Sequence, residues 1–214
     1  MKNVTLYLIR HGETYLNKYG KMQGWADAPL TDRGIADARA TGERLADRVF
    51  DAVYASDLGR TQATARIICA ENEHAAQLKI IPRSEWRESS FGALDGSFCS
   101  YVYGQVAERE GVEPGDLFKQ LSLAQMASAI KAIDPAHAAE DDEEFRTRLK
   151  RALSDTLEGV SDGAHVMVVT HGNVIRTLVS MIDPTIEVRR ELKNSGVTTI
   201  AFAGDTGRVL GFNE

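Results

Sequence analysis

Leu6-Tyr7-Leu8-Ile9-Arg10-His11-Gly12-Glu13-Thr14 is an apolar, strand-like run that ends abruptly in Arg-His-Gly before the chain turns polar. A buried parallel strand delivering its last residues into a pocket at its carboxyl end reads this way. A histidine there can act as a nucleophile toward an anion. The arginine before it supplies fixed charge and a planar donor fork, and the glycine after it lets a ligand approach the backbone. Taken alone, the tripeptide is an ordinary loop after a strand.

The same ending recurs in Val169-Thr170-His171-Gly172. In open α/β sheets ligands bind outside the carboxyl ends of strands, so two histidines at equivalent ends face one crevice if their strands are neighbours. Ser56-Asp57-Leu58-Gly59-Arg60-Thr61 closes another short strand and puts Arg60 in the first turn of a helix, where backbone N–H groups also favour an anion. Trp86-Arg87-Glu88-Ser89-Ser90-Phe91-Gly92 follows the third strand. Glu88 there is either a proton donor to a leaving group or a solvated glutamate.

Around these stretches the chain alternates strands and helices. Strands are expected at Val4–Ile9, Asp51–Ala55, Leu78–Ile81 (stopped by Pro82), His165–Thr170, Val197–Ala203 and Val209–Phe212. Thr31 is expected to cap a helix whose apolar side is Ile35, Ala38, Leu45 and Val49, and Ser56-Asp57 to cap the helix running to Ala70. Glu140–Leu157 is a third helix, with Phe145, Leu149, Ala152, Leu153 and Leu157 on one face. The pattern loosens from Arg83 to Ala139, an insert with short helices near Tyr101–Arg109 and Leu121–Ile133. The expectation is one domain over 1–214: a three-layer α/β/α sandwich with a mostly parallel six-stranded sheet and a lid inserted at about 97–139.

Composition sets bounds. The 214 residues suffice for a substantial core, and a net charge of −6 leaves no basic stripe for nucleic acid. Cys69 and Cys99 form no Cys-x-x-Cys pair. No run approaches the roughly 18 apolar residues of a membrane span. Met1-Lys2-Asn3 leads straight into a six-residue strand, too short for a signal-peptide apolar region, so a cytosolic protein is expected.

Arg10-His11-Gly12-Glu13-Thr14, Gln23-Gly24-x-x-Asp27-x-Pro29-Leu30-Thr31-x-x-Gly34, Ser56-Asp57-Leu58 with Arg60-Thr61, Arg87-Glu88-x-x-Phe91-Gly92 and Thr170-His171-Gly172 together resemble the histidine phosphatase superfamily, the phosphoglycerate-mutase-like fold. The resemblance implies that His11 becomes a phosphohistidine and that Arg10, Arg60 and His171 hold the phosphoryl oxygens. It adds Asn17 and Gln23 as further contacts, Gly172 and Asn173 at the substrate, and Glu88 as general acid and then base. Phosphoryl transfer needs charge neutralisation and positioning above all, which two arginines and a second histidine supply without a metal. No cofactor or metal is expected, and the expected partner is a small phosphorylated substrate, with a homodimer left open.

Two features divide the branches. Phe91-Gly92-Ala93-Leu94-x-Gly96 and His171-Gly172-Asn173 are close to the mutases, whereas many phosphatases carry a second glycine at the position of Asn173. The mutases resembled here also hold a bisphosphate with an adjacent arginine pair, and the stretch 97–140 has only Arg109, Lys119 and Lys131 as basic residues. The reading is a metal-independent phosphomonoesterase, with a cofactor-dependent phosphoglycerate mutase as the alternative and a non-catalytic phosphate-binding module as a third. Phe91, Tyr101, Tyr103 and Phe118 are lid aromatics that either line the leaving-group pocket or pack the core. Arg87 and Arg176 either reach a substrate or, the preferred reading, form ion pairs, and Arg189-Arg190 is read as a solvated helical face.

Overall fold

The computed structural model describes residues 2–214. Strand β1 (Asn3–Arg10) leads to the one-turn α1 (Tyr15–Lys18) and to α2 (Asp32–Arg44), then to β2 (Ala52–Ser56), α3 (Gly59–Ala70) and β3 (Ile80–Arg83). The insert holds α4 (Cys99–Glu110), α5 (Leu117–Gln120) and α6 (Leu123–Ile133). The chain ends with α7 (Asp142–Glu158), β4 (Ala164–Thr170), α8 (Gly172–Ile182), β5 (Val197–Ala203) and β6 (Thr206–Gly211). All six strands join one sheet in the order β3-β2-β4-β1-β5-β6. Pairs from β3 to β1 are parallel, and β5 and β6 are antiparallel additions.

Strand alternation makes the layers. Val4, Leu6 and Leu8 share a core with Val166, Val168 and with Leu149, Ile175 and Leu178 of α7 and α8. Tyr7, Ile9, Met167 and Val169 point the other way, onto Ala65 and Ile68 of α3. Helices therefore cover both faces, as the α/β/α expectation has it. The insert has a core of its own, built on Val102, Val106, Leu117, Met126 and Ile130 together with Met22 and Phe91. The Asp134 carboxylate closes its far end by accepting N–H bonds from Ala93, Ala136, Ala138 and Ala139 at 2.7–3.1 Å.

Several local expectations need correction. Pro82 lies inside β3 rather than ending it, which an edge strand tolerates because one side of its ladder is unpaired. Thr31 does cap α2, its hydroxyl accepting from Gly34 N–H at 3.0 Å, but the buried side of that helix is Gly34, Ala38, Thr41 and Gly42. Ile35 and Val49 are exposed. Contact here is backbone to backbone, so small residues mark the buried face. A Cβ on Gly34 would sit 2.2 Å from the Glu13 carbonyl oxygen, and one on Gly12 2.6 Å from that of Gly34. Gly34→Ala is therefore expected to destabilise the protein by about 1–3 kcal/mol, as overpacking does. Urea unfolding should show a lower midpoint at unchanged slope.

Candidate active site

The β1–β4 register pairs Arg10 with Thr170, and the His11 N–H donates to the Thr170 carbonyl at 2.9 Å. The two histidines thus leave adjacent parallel strands side by side, both buried, with ring centroids 5.3 Å apart. His11 Nδ1 lies 2.8 Å from the Gly12 carbonyl, which can only accept, so Nδ1 carries the proton and Nε2 keeps its lone pair. His171 is the opposite tautomer. Its Nδ1 accepts from Arg60 Nη2 at 3.0 Å, which leaves the proton on Nε2. Burial, and then the Arg60 charge, hold both imidazoles well below the usual histidine pKa of 6.5.

Arg60 is clamped by the loop before α2. Its Nη1 donates to the Ala26 carbonyl at 2.8 Å and to Asp27 Oδ1 at 3.0 Å, and its Nη2 to the Gly24 carbonyl at 2.7 Å. Asp27 also caps α3, accepting from Gly59 N–H at 2.6 Å. The cap expected from Ser56-Asp57 is not made. Leu58 holds the N-cap position with no side-chain bond, and Asp57 instead accepts a bidentate pair from Arg87 at 2.7 and 2.6 Å. Arg10 donates through Nη1 to the Leu192 carbonyl, and burial, with Arg176 nearby, lowers its pKa to about 10. Gln23 Oε1 accepts from the Thr14 hydroxyl at 2.6 Å, turning the amide nitrogen away from Thr14.

This arrangement leaves Arg10 Nε, Gln23 Nε2, Arg60 Nε and His171 Nε2 buried without partners; the only other such side-chain atom among the described residues is Ser195 Oγ. Buried donors are normally satisfied, so a group of orphans on predicted phosphate contacts calls for an acceptor-rich anion. Glu88 is buried, not solvated. Its Oε1 accepts from Ser89 N–H at 2.9 Å and its Oε2 from Asn173 N–H at 3.0 Å. Burial nonetheless raises its pKa above the ordinary 4.5, in the direction a proton donor needs.

The model of the histidine phosphatase superfamily (branch 1) matches residues 6–214. The chain belongs to the histidine phosphatase superfamily. The crystal structure of phosphoglycerate mutase from Bacillus anthracis strain Sterne superposes with a TM-score of 0.95 at 35% identity, covering 100% of this chain and 94% of that one. A sequence from Enterobacter sp. (strain 638), named "Probable phosphoglycerate mutase GpmB", is 32% identical over 200 residues, 92% of this chain and 84% of its own length. A phosphoserine phosphatase from Entamoeba histolytica shares the fold, with a TM-score of 0.76 at 24% identity over 99% of this chain and 97% of that one.

The other expected contacts of this superfamily member are placed less directly. Asn17 sits in the capping box of α1, its Oδ1 accepting from Thr14 N–H at 3.2 Å. Asn173 spends its backbone N–H on Glu88 and its side-chain amide on Ser89 Oγ at 3.1 Å. At Gly172 a Cβ would lie 3.1 Å from Arg176 Nη1, 3.7 Å from Arg10 Nε and 3.8 Å from Glu88 Oε2, so the bare backbone lets three charged groups converge.

Two arginine readings are corrected. Arg176 makes no ion pair and donates to the carbonyls of Val188 at 2.9 Å and Arg190 at 3.1 Å. Arg189 and Arg190 are not helical: Arg189 pairs with Glu187 at 3.0 Å, and Arg190 lies over the Phe212 ring. Arg87 is ion-paired as expected.

Sequence reasoning missed the supports. Asp95 clasps three successive N–H groups, those of Gly24, Trp25 and Ala26, at 2.8–3.1 Å and so fixes the loop that clamps Arg60. Arg148 and the Trp25 indole both donate to the Glu88 carbonyl, at 3.0 and 2.9 Å. Asn194 donates to the His11 carbonyl at 3.1 Å. An acidic residue two positions past Phe91-Gly92-Ala93 carries no local mark of this role; only the closed loop reveals it.

The buried histidines couple stability to pH. Their folded pKa values lie below the unfolded 6.5, so the unfolded chain binds more protons once pH drops under 6.5, and stability falls from there. Each contributes a slope of up to about 1.4 kcal/mol per pH unit. Glu88 acts oppositely: its raised pKa favours the folded state at low pH, a contribution lost as pH rises through the folded value. Asp95, also raised by burial, acts in the same sense as Glu88. The unfolded histidine value of 6.5 lies inside the window for both histidines, however, so the melting temperature should drop between pH 7 and 5.5, and less steeply in His11→Gln.

Proposed function

We propose that this protein is a phosphomonoesterase acting on a small phosphorylated metabolite through a phosphohistidine on His11. The observation that carries the reading is the set of four unpartnered buried donors around two histidines of opposite tautomer. His11 Nε2 attacks phosphorus and the ester P–O bond breaks, while Glu88 gives its proton to the departing oxygen. The Gly12 carbonyl holds the Nδ1–H as positive charge develops on the ring. Arg10, Arg60, Gln23 and His171 direct N–H groups at the phosphoryl oxygens, where the transition state carries its charge. Glu88, now a carboxylate, takes a proton from water as that water's oxygen attacks phosphorus. The P–N bond breaks and orthophosphate leaves.

Transfer to water rather than to a second substrate is favoured by the insert. Arg109 pairs with Glu110, Lys119 with Asp116, and Lys131 with Asp141 and Glu144, so each of its cations is already compensated. The mutase reading draws on Asn173 and on the names of the relatives above 30% identity. Rapid quenching with a radiolabelled alkyl phosphate should trap an acid-labile, base-stable phosphoenzyme whose label then appears as orthophosphate. Label moving instead from a primed enzyme into phosphoglycerate, with no orthophosphate, would establish the mutase. The proposed reaction is metal-independent; activity lost to a chelator and restored by a divalent ion would overturn that part.

A further inference from the structure

A cavity of about 180 Å³ lies between the insert and α8, walled by Phe91, Leu121, Met126 and Ile130, with Tyr103 and Phe118 edge to face at 5.1 Å. It adjoins the phosphate site through Ser89 and Asn173, the two residues whose N–H groups hold the Glu88 carboxyl. His11 is not on its wall, so the cavity is a room beyond Glu88 and not the phosphate site itself.

Its charged groups are unequal. Glu140 is taken by Arg148 at 2.6 Å, Asp142 by Arg146 at 2.7 Å and Arg189 by Glu187 at 3.0 Å. Arg176 alone has no carboxylate in contact. Its Nε and Nη2 are fixed by backbone carbonyls, and Nη1, at the Gly172 end, has no hydrogen-bond partner. A largely apolar room with one rigid guanidinium that makes no ion pair, its charge met only at longer range by Glu88 and Glu191, suits an amphipathic guest.

We propose that the alcohol released from the phosphate ester has a compact apolar body, aryl or branched alkyl, that fills this cavity, and an anionic substituent held against Arg176. The inference rests on the phosphomonoesterase reading. A polyhydroxylated alcohol would set most of its hydroxyl groups against Phe91, Leu121, Met126, Ile130 and Phe145, with only rim groups such as Ser122 and Thr177 to receive them, and it is discriminated against on that ground.

Benzyl phosphate, carboxybenzyl phosphate and a hexose phosphate esterified at its primary hydroxyl match the leaving-group chemistry while varying the body. In wild-type protein kcat/KM should rise by about tenfold or more from hexose to benzyl, and again by several-fold on adding the carboxylate. Arg176→Gln should erase the second gain. Phe118→Ser, at the half-exposed rim, should raise KM for benzyl phosphate while leaving inhibition by orthophosphate unchanged. Equal rates on hexose and benzyl esters, or no carboxylate preference in wild-type protein, would overturn the inference while the phosphomonoesterase reading stands. No hydrolysis of any ester would overturn that reading and the inference with it.

Discussion

His11→Ala should lose alkyl phosphate hydrolysis by about four to six orders of magnitude, the scale of deleting a covalent nucleophile, while still binding orthophosphate. The loss follows from the tautomer: among the clustered groups, only His11 Nε2 presents a lone pair with its ring held from behind by a backbone carbonyl. The binding survives because the donors lie on other residues. Arg60 is held by Asp27 and the 23–26 carbonyls, and Arg10 by Leu192, none of which touches the His11 ring. Stopped assays for phosphate release and calorimetric titration with orthophosphate separate the two properties. A variant that kept more than about a hundredth of the activity would remove His11 from the nucleophile's role.

Glu88→Gln should cost about 10²–10⁴ in kcat on alkyl phosphates and far less on a nitrophenyl ester, whose leaving group departs without a proton. The substitution keeps the shape but sets an amide N–H against one of the two N–H groups now bound by the carboxylate, those of Ser89 and Asn173. The pH profile gives a second readout. With its pKa raised by burial, Glu88 stays protonated to higher pH than an ordinary glutamate, and alkyl-ester turnover should fall as pH climbs through that value. The Gln variant should lack this alkaline limb. A uniform loss on alkyl and nitrophenyl esters, with the limb intact, would make Glu88 a structural residue.

Much of the catalytic group was legible because chemistry and periodicity coincide at the same places. An apolar run ending in Arg-His-Gly, and another ending in Thr-His-Gly, can be read as strands with reactive ends. Their parallel pairing in register then brings His11 and His171 together. The residues that hold this group in place were not legible. Asp27 caps a helix from 32 residues away, Asp95 binds a loop from about 70 away, and Arg148 reaches Glu88 across 60. No local pattern encodes such distances.

What the sequence determined by itself was the order of strands and helices, the family, and the identity of the groups that surround a phosphate. These follow from short-range alternation and from residue type. Tertiary structure alone decided which histidine nitrogen is free, that Glu88 is buried, and that Arg176 stands without an ion pair at the wall of a largely apolar room. The Gly12 carbonyl that holds the His11 proton is a chain neighbour brought onto Nδ1 by the folded strand end, whereas the Arg60 that fixes His171 and the Asn173 N–H that binds Glu88 arrive from 111 and 85 residues away. A hydrogen bond or an ion pair fixes a proton or cancels a charge only where both partners meet.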